Sequence, residues 1–202
     1  MARKLAFADL VNQIFKYLNK YKMTTSTKQK FTDKIPDLKK QLGLKNSLAV
    51  PRIEKVIVST GIGSIKDKAK VELIPDRLAK ITGQRPAPRS SKKSIATFKV
   101  RQGDIVGQTV TLRGARMYGF LDKLLNVAIP RQRDFRGVDP KGIDEMGNLT
   151  MGFKEHTIFP ETADEEIRNA FGMAVTIVTT AKNRESARAL FDAIGVPFKK
   201  SK

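Results

Sequence analysis

Six cations, Arg85, Arg89, Lys92, Lys93, Lys99 and Arg101, crowd one short stretch, and no Asp or Glu lies between Asp76 and Asp104. Cations at that density suit one chemistry, the neutralisation of phosphates with release of the counterions condensed on a polyanion. Pro86, Pro88 and the serines Ser90, Ser91 and Ser94 exclude the first half of the stretch from a helix interior or a central strand. It reads as a mobile, positively charged finger, poorly ordered until a polyanion binds. Residues 96–101 alternate, with Ala96, Phe98 and Val100 on one side and Thr97, Lys99 and Arg101 on the other, which predicts a strand.

Rival chemistries find little support. There is no cysteine, so thiol catalysis, disulfides and thiolate metal sites are excluded. The one histidine, His156, follows Glu155 but has no visible nucleophile or metal partners, and it reads as a surface residue. Gly61-Ile62-Gly63 lacks the spacing of a dinucleotide fingerprint, and no Gly-Lys-Ser/Thr phosphate loop exists; a glycine turn after a strand explains it. Asp164, Glu165 and Glu166 stand at a predicted helix start, where carboxylates complement the dipole. Neither a metal nor a cofactor is expected.

The whole chain points the same way. Its 202 residues carry a formal net charge of +19, more than solubility needs, which implies a polyanionic partner. Residues 1–101 hold 24 Lys and Arg against 7 Asp and Glu, whereas residues 102–202 hold 15 against 13. No apolar run approaches the ~18 residues of a spanning helix, so no membrane partner is expected. The aromatic residues fall mostly at core positions of predicted helices and strands. Stacking on exposed rings is therefore not expected, and structured RNA read through shape, phosphate and 2′-OH fits better.

These groups need elements to hold them. Helical spacing of Phe7, Leu10, Val11, Ile14, Phe15 and Leu18 predicts an amphipathic helix over Phe7–Tyr21. A polar linker over residues 24–30 follows, then a second helix from about Asp33 to Leu42 with Pro36 in its first turn. Ile53–Ser59 reads as a strand, and about Asp67 to Ile81 as a helix kinked or broken at Pro75. Beyond the finger, Gln102-Gly103-Asp104 is a turn and Gln108–Arg113 a second strand. Its Thr109, Thr111 and Arg113 join Thr97, Lys99 and Arg101 on a predicted face of hydroxyls and cations, suited to phosphates and sugars. Arg116–Ala128 reads as a helix stopped by Pro130, followed by Arg131, Arg133 and Arg136. A loop over Val138–Asn148, short strands at Leu149–Lys154 and Thr157–Phe159, a capped helix opening at Thr162, a strand over Met173–Thr180 and a helix over Asn183–Ile194 complete the chain. Mixed hairpins and helices without a repeat give an α+β class, a mainly antiparallel sheet with helices packed on one face. Residues 1–30 are expected as an extension, and residues 31–202 as a single domain with its basic loop at 83–94.

Seven stretches occur in a distinctive order. They are Val50-Pro-Arg-Ile-Glu-Lys55, Ile81-Thr-Gly-Gln-Arg-Pro86, Lys92-Lys-Ser-Ile-Ala96, Val110-Thr-Leu-Arg-Gly114, Pro130-Arg-Gln-Arg-Asp-Phe-Arg-Gly137, Ile158-Phe-Pro-Glu161 and Val178-Thr-Thr-Ala-Lys182. From about Phe31 to Phe198 the chain resembles the family of large-subunit ribosomal protein five in its bacterial form, the 5S rRNA-binding proteins of the central protuberance. The resemblance implies a non-enzymatic structural protein of the cytoplasmic ribosome, with an organellar ribosome as the alternative. Its implied partners are 5S rRNA, 23S rRNA, the P-site tRNA, a small-subunit head protein across an intersubunit bridge, and neighbouring large-subunit proteins.

Carried over by position, Gln84, Thr111 and Arg113 fall on the 5S rRNA side. The polar face adds Thr97, Lys99 and Arg101. Ser59 stands where bacterial members usually have Asn and lacks the paired donor and acceptor of an amide. Arg85, Arg89, Ser90, Ser91, Lys92 and Lys93 match the loop directed at tRNA. Arg131, Arg133 and Arg136 are expected on other rRNA or at the bridge, together with Asp144, Glu145 and Met146. The last three lie in Ile143-Asp-Glu-Met-Gly-Asn-Leu149, which replaces the usual Phe-Asp-Gly-Arg-Gly-Asn-Tyr. The N-terminal extension has no counterpart in the short bacterial form. Its excess of Lys over Arg, few serines and lack of a cleavage site argue against a transit peptide. Pro75 is a further departure, interrupting a helix that the family runs continuously.

Overall fold

The computed structural model describes residues 26–65, 67–133, 135–162 and 170–199. The amphipathic helix predicted at Phe7–Tyr21, the short helix predicted after Thr162, and Asp164, Glu165 and Glu166 lie outside these residues.

Among the described residues, five strands form one antiparallel sheet. They are β1 (Ile53–Gly61), β2 (Ala87–Ser90), β3 (Ile105–Leu112), β4 (Leu149–Phe153) and β5 (Met173–Thr179), in the spatial order β2-β3-β1-β5-β4. Alternate residues go to opposite faces of a strand. Val56 and Val58 of β1, Val110 and Leu112 of β3, Val175 and Ile177 of β5, and Leu149 and Met151 of β4 all point to one buried side. That side meets helices α1 (Thr27–Gln41), α2 (Lys68–Thr82), α3 (Gly114–Lys123) and α4 (Arg184–Ile194), which supply Leu38, Ile74, Leu78, Phe120, Leu121, Leu190 and Phe191. The α+β class with helices on one sheet face holds.

Helix α1 starts at Thr27, not near Asp33, and it crosses residue 30, so residues 27–30 are helix rather than linker. The reason lies 95 residues away. The Asp122 carboxylate of α3 accepts the Thr27 amide (2.6 Å), the Thr27 hydroxyl and the Ser26 hydroxyl (3.1 Å), satisfying donors that a helix start leaves open. Pro36 accordingly sits inside the helix rather than in its first turn.

Helix α2 runs unbroken through Pro75, against the expected kink or interruption. A proline inside a helix costs about 3 kcal/mol. Fully burying Ile74, Leu78 and Ile81 from the same helix offsets that, at roughly 1.5–3 kcal/mol each. Past α3, a π-helical turn (Leu124–Ala128) and a last turn (Ile129–Arg131) carry the helix beyond the point where Pro130 was expected to stop it.

The predicted strand at Ala96–Arg101 does not form. Ala96–Phe98 is instead a single 3-10 turn, and Lys99 follows in the left-handed conformation at φ 53°. Topology explains the failure. Strand β3 is already paired by β1 on one edge and by β2 on the other, so no edge remains for a strand at 96–101. The partner it does have, β2, comes from the stretch expected as an unstructured finger. Pro88 fits there because β2 is an edge strand. Thr157–Phe159 is likewise no strand; His156–Ile158 forms a 3-10 turn that inserts Phe159 against Phe120, ring centroids 5.8 Å apart.

Candidate nucleic-acid interface

The face of the sheet away from the helices is lined with small side chains. The register aligns Ala87, Thr109, Ser59, Ala174 and Gly152 in one row across all five strands. A second row sets Thr111, Ile57, Thr176 and Thr150 side by side, with the hydroxyls of Thr150 and Thr176 3.1 Å apart. Such rows let a nucleic-acid backbone approach the sheet closely and offer hydroxyls to phosphate and sugar oxygens. Gly107, opposite Gly61, keeps the β1–β3 pair tight, since a Cβ there would lie 3.1 Å from the Thr60 carbonyl.

The expected 5S rRNA residues separate into two groups. Ser59, Thr111, Gln84 and Arg113 gather at the β1–β3 end of this face. Gln84, just past the left-handed Gly83 that ends α2, donates its side-chain Nε2 to the Thr111 carbonyl at 3.4 Å. Arg113 follows β3, and its guanidinium lies 3.5 Å from the Glu54 carboxylate, with both side chains about half exposed. An exposed pair of this kind is worth ~0–1 kcal/mol, so phosphate can exchange for Glu54 at little cost. Glu54 sits where the β1–β5 register shifts, and nothing in the sequence pattern marked it as the arginine's partner.

Thr97, Lys99 and Arg101 do not join them. Without the predicted strand they leave the sheet face and occupy the 91–104 loop that links β2 to β3. This loop is closed by its own bonds. Ser91 and Asp104 are joined by a backbone bond of 2.8 Å, Gly103 donates to the Ser91 carbonyl (3.0 Å), and Ile95 and Val100 exchange bonds of 2.9 and 3.3 Å. The Asp104 carboxylate accepts the Arg101 amide at 2.8 Å, the Ser94 hydroxyl accepts the Gln102 amide at 3.0 Å, and the Ser91 hydroxyl donates to the Lys93 carbonyl at 2.7 Å. Arg85, Arg89, Ser90, Lys92, Lys93, Lys99 and Arg101 are exposed and Ser91 is half-buried. Arg89 belongs to both regions, because it lies opposite Gly107 on the sheet while leading into the tip. Phe98 was expected in a strand core, yet 71% of it is exposed at this tip.

Arg131, Arg133 and Arg136 are exposed at the other end, Arg131 closing the last turn of the long helix and the other two just after it. Val138 ties their segment to the C-terminal residues, donating to the Pro197 carbonyl (2.7 Å) and accepting from Lys199 (2.9 Å). Gly137, at φ 98°, is required there, because a Cβ would fall 2.7 Å from the Lys199 nitrogen. A cleft of about 340 Å³ opens between this segment and β4, lined by Gln132, Phe135, Arg136, Thr150, Gly152 and Lys199 among others. In the 143–149 loop, the exposed Asp144 accepts both the Asn148 amide (2.6 Å) and its side-chain Nδ2 (2.9 Å). Its neighbours Glu145 and Met146 are exposed with it, Met146 to 71%.

His156 is not the expected surface histidine. It is fully buried, stacked on Phe171 with ring centroids 4.1 Å apart, and its Nδ1 accepts the Phe171 amide at 3.4 Å. The Glu155-His156 pair was a poor guide because the turn that follows swings His156 inward with Phe159.

A sheet with one packed face and one small-residue face, extended by a cationic hairpin, defines a scaffold for holding a polyanion. Comparison with known proteins makes this specific. The family described as Ribosomal protein L5 matches residues 46–101, and the ribosomal L5P family C-terminus matches residues 105–198. The large ribosomal subunit protein uL5 of Natranaerobius thermophilus is 50% identical over 164 residues, covering 81% of this chain and 92% of that protein. That of Acidobacterium capsulatum is 48% identical over 182 residues, 89% of this chain and 100% of its own length. That of Acaryochloris marina is 48% identical over 181 residues, with the same two coverages. The chain belongs to the ribosomal protein L5 family, and it is a structural, non-enzymatic protein of the ribosome.

Proposed function

We propose that this chain, a structural constituent of the large ribosomal subunit in the cytoplasm, grips 5S rRNA with its open sheet face and joins it to 23S rRNA in the central protuberance. Ser59, Gln84, Thr111 and Arg113 form the 5S grip. The hairpin bearing Arg85, Arg89, Ser90, Ser91, Lys92 and Lys93, extended by Thr97, Lys99 and Arg101, points toward the P-site tRNA. Arg131, Arg133 and Arg136 hold further rRNA, and the Glu145-Met146 tip meets a small-subunit head protein, with neighbouring large-subunit proteins around them.

One observation supports this reading above the others, the unbroken row of small residues across five strands beside Gln84 and Arg113. Charge-assisted bonds to phosphate are worth roughly 1.5–3 kcal/mol. Arg113→Ala should therefore weaken binding of a 5S rRNA transcript by about ten- to a hundredfold, and Gln84→Ala by less. Lys92→Ala with Lys93→Ala should change 5S affinity less than Arg113→Ala does. Equal losses at Arg113 and at the lysine pair in the same anisotropy titration would overturn the assignment of the face to 5S rRNA.

A further inference from the structure

The tip of the β2–β3 hairpin holds an arrangement that phosphate neutralisation alone does not call for. Phe98, 71% exposed, ends the Ala96–Phe98 turn. Cation loops need no aromatic ring, and a large apolar side chain that projects into water contributes nothing to the core. The backbone under the ring is tightly defined. The turn closes through the Lys99 amide to the Ala96 carbonyl at 3.0 Å, and the Ile95–Val100 pair clamps it from below. Lys99, at φ 53°, is the one non-glycine residue with positive φ among the described residues. Such backbone strain persists only where surrounding bonds over-determine it, and it concentrates at binding sites.

We propose that Phe98 is a stacking platform for an unpaired RNA base, with Lys92, Lys93, Lys99 and Arg101 holding the phosphates on either side of that nucleotide. This deepens the RNA-binding reading above and rests on it. Charge decides between a base and an apolar protein surface as the occupant. Four cations share the loop with the ring, while its one acid, Asp104, already accepts the Arg101 amide. Lysines are depleted from protein–protein interface cores, whereas exposed rings set among cations are what single-stranded nucleic acid binds. The base must be unpaired, because bases within a duplex are already stacked on both sides.

The chain contains no tryptophan, so Phe98→Trp places a single reporter at the site. The full chain is titrated by anisotropy and by tryptophan emission with four RNAs. They are a hairpin with an open loop, a blunt duplex with the same number of phosphates, a tRNA transcript and a 5S rRNA transcript. Phe98→Ala and Phe98→Leu should each weaken the open-loop hairpin by about 5- to 100-fold, the range of one base–aromatic stack. Phe98→Tyr should hold near wild type, and the blunt duplex should not distinguish the variants. In the Phe98→Trp chain, indole emission should be quenched by the hairpin, and whichever transcript also quenches it supplies the base. Full retention of affinity by Phe98→Leu, or unchanged indole emission while anisotropy reports binding, would overturn stacking and leave the wider RNA reading standing. Failure of the wild-type chain to bind any of the four RNAs would overturn both.

Discussion

The open sheet face and the hairpin tip meet at Arg89, yet they are built on opposite terms. The rows of the face on β1, β3, β4 and β5 are fixed by partner strands, and their neighbours in sequence are buried. Ser59 lies between Val58 and Thr60, both buried. The tip has no core of its own. It is held by six backbone and three side-chain bonds of its own, and its largest apolar residue, Phe98, faces water, with Ile95 half exposed nearby. A surface that inherits its shape from a packed sheet presents one fixed contour. A surface held by local bonds can be reshaped without touching the fold. The first suits a permanent RNA partner, and the second suits a contact that must form and release.

Adjacent residues of β1 give the largest test. Val58→Asp puts a carboxylate into a site that is 0% exposed, next to Leu112, Val110 and Val175. A buried, unpaired charge costs several kcal/mol, so this variant should unfold or melt far below wild type in a thermal scan. Ser59→Asp puts the same charge one residue along on the open face. It should shift stability by less than about 1 kcal/mol and lower 5S rRNA affinity by tenfold or more through repulsion of phosphate. Loss of stability without loss of binding at Ser59 would mean that the open face is not the RNA side.

Asp122 tests whether the packed side and the proposed RNA face are separable. Its carboxylate takes three donors from Ser26 and Thr27 at the start of α1. Asp122→Ala leaves them unmet, at a cost of about 2 kcal/mol for a lost cap, readable as a lower denaturant midpoint. Binding of 5S rRNA to the folded protein should not change. A parallel fall in affinity would show that the helices behind the sheet tune the face in front of it.

The same contrast explains what the sequence could reveal. The buried side was legible, because Val56, Val58, Val110, Leu112, Val175 and Ile177 alternate as half-buried strands must. The bounds of α4 were legible too, with Asn183 capping its start and Gly195, at φ 95°, ending it. The start of α1 was not, because its cap arrives from Asp122, far along the chain. The alternation at Ala96–Val100 misled, since a periodicity of two says nothing about whether a neighbouring strand edge is free. Once β2 claimed that edge, Phe98 had to turn outward. Gln84 and Arg113 stood out by resemblance, but Glu54 as the arginine's partner and Phe98 as an exposed ring emerge only from the assembled sheet.

The smallest effect expected belongs to the two lysines of the tip, and it is a change of slope rather than of stability. Each phosphate contact contributes about 0.7–0.9 to the dependence of log affinity on log salt. Replacing Lys92 and Lys93 with alanine should therefore lower the slope for a tRNA transcript by about 1.4–1.8, while the slope for 5S rRNA stays as in wild type. Both side chains are exposed and outside the core, so thermal stability should move by no more than about 0.5 kcal/mol. The measurement is a titration series from about 50 to 200 mM salt with each RNA. An equal drop in both slopes would place the tip and the face on the same RNA. They would then form one continuous binding surface joined through Arg89, and the division between a permanent grip and a releasable contact would be wrong.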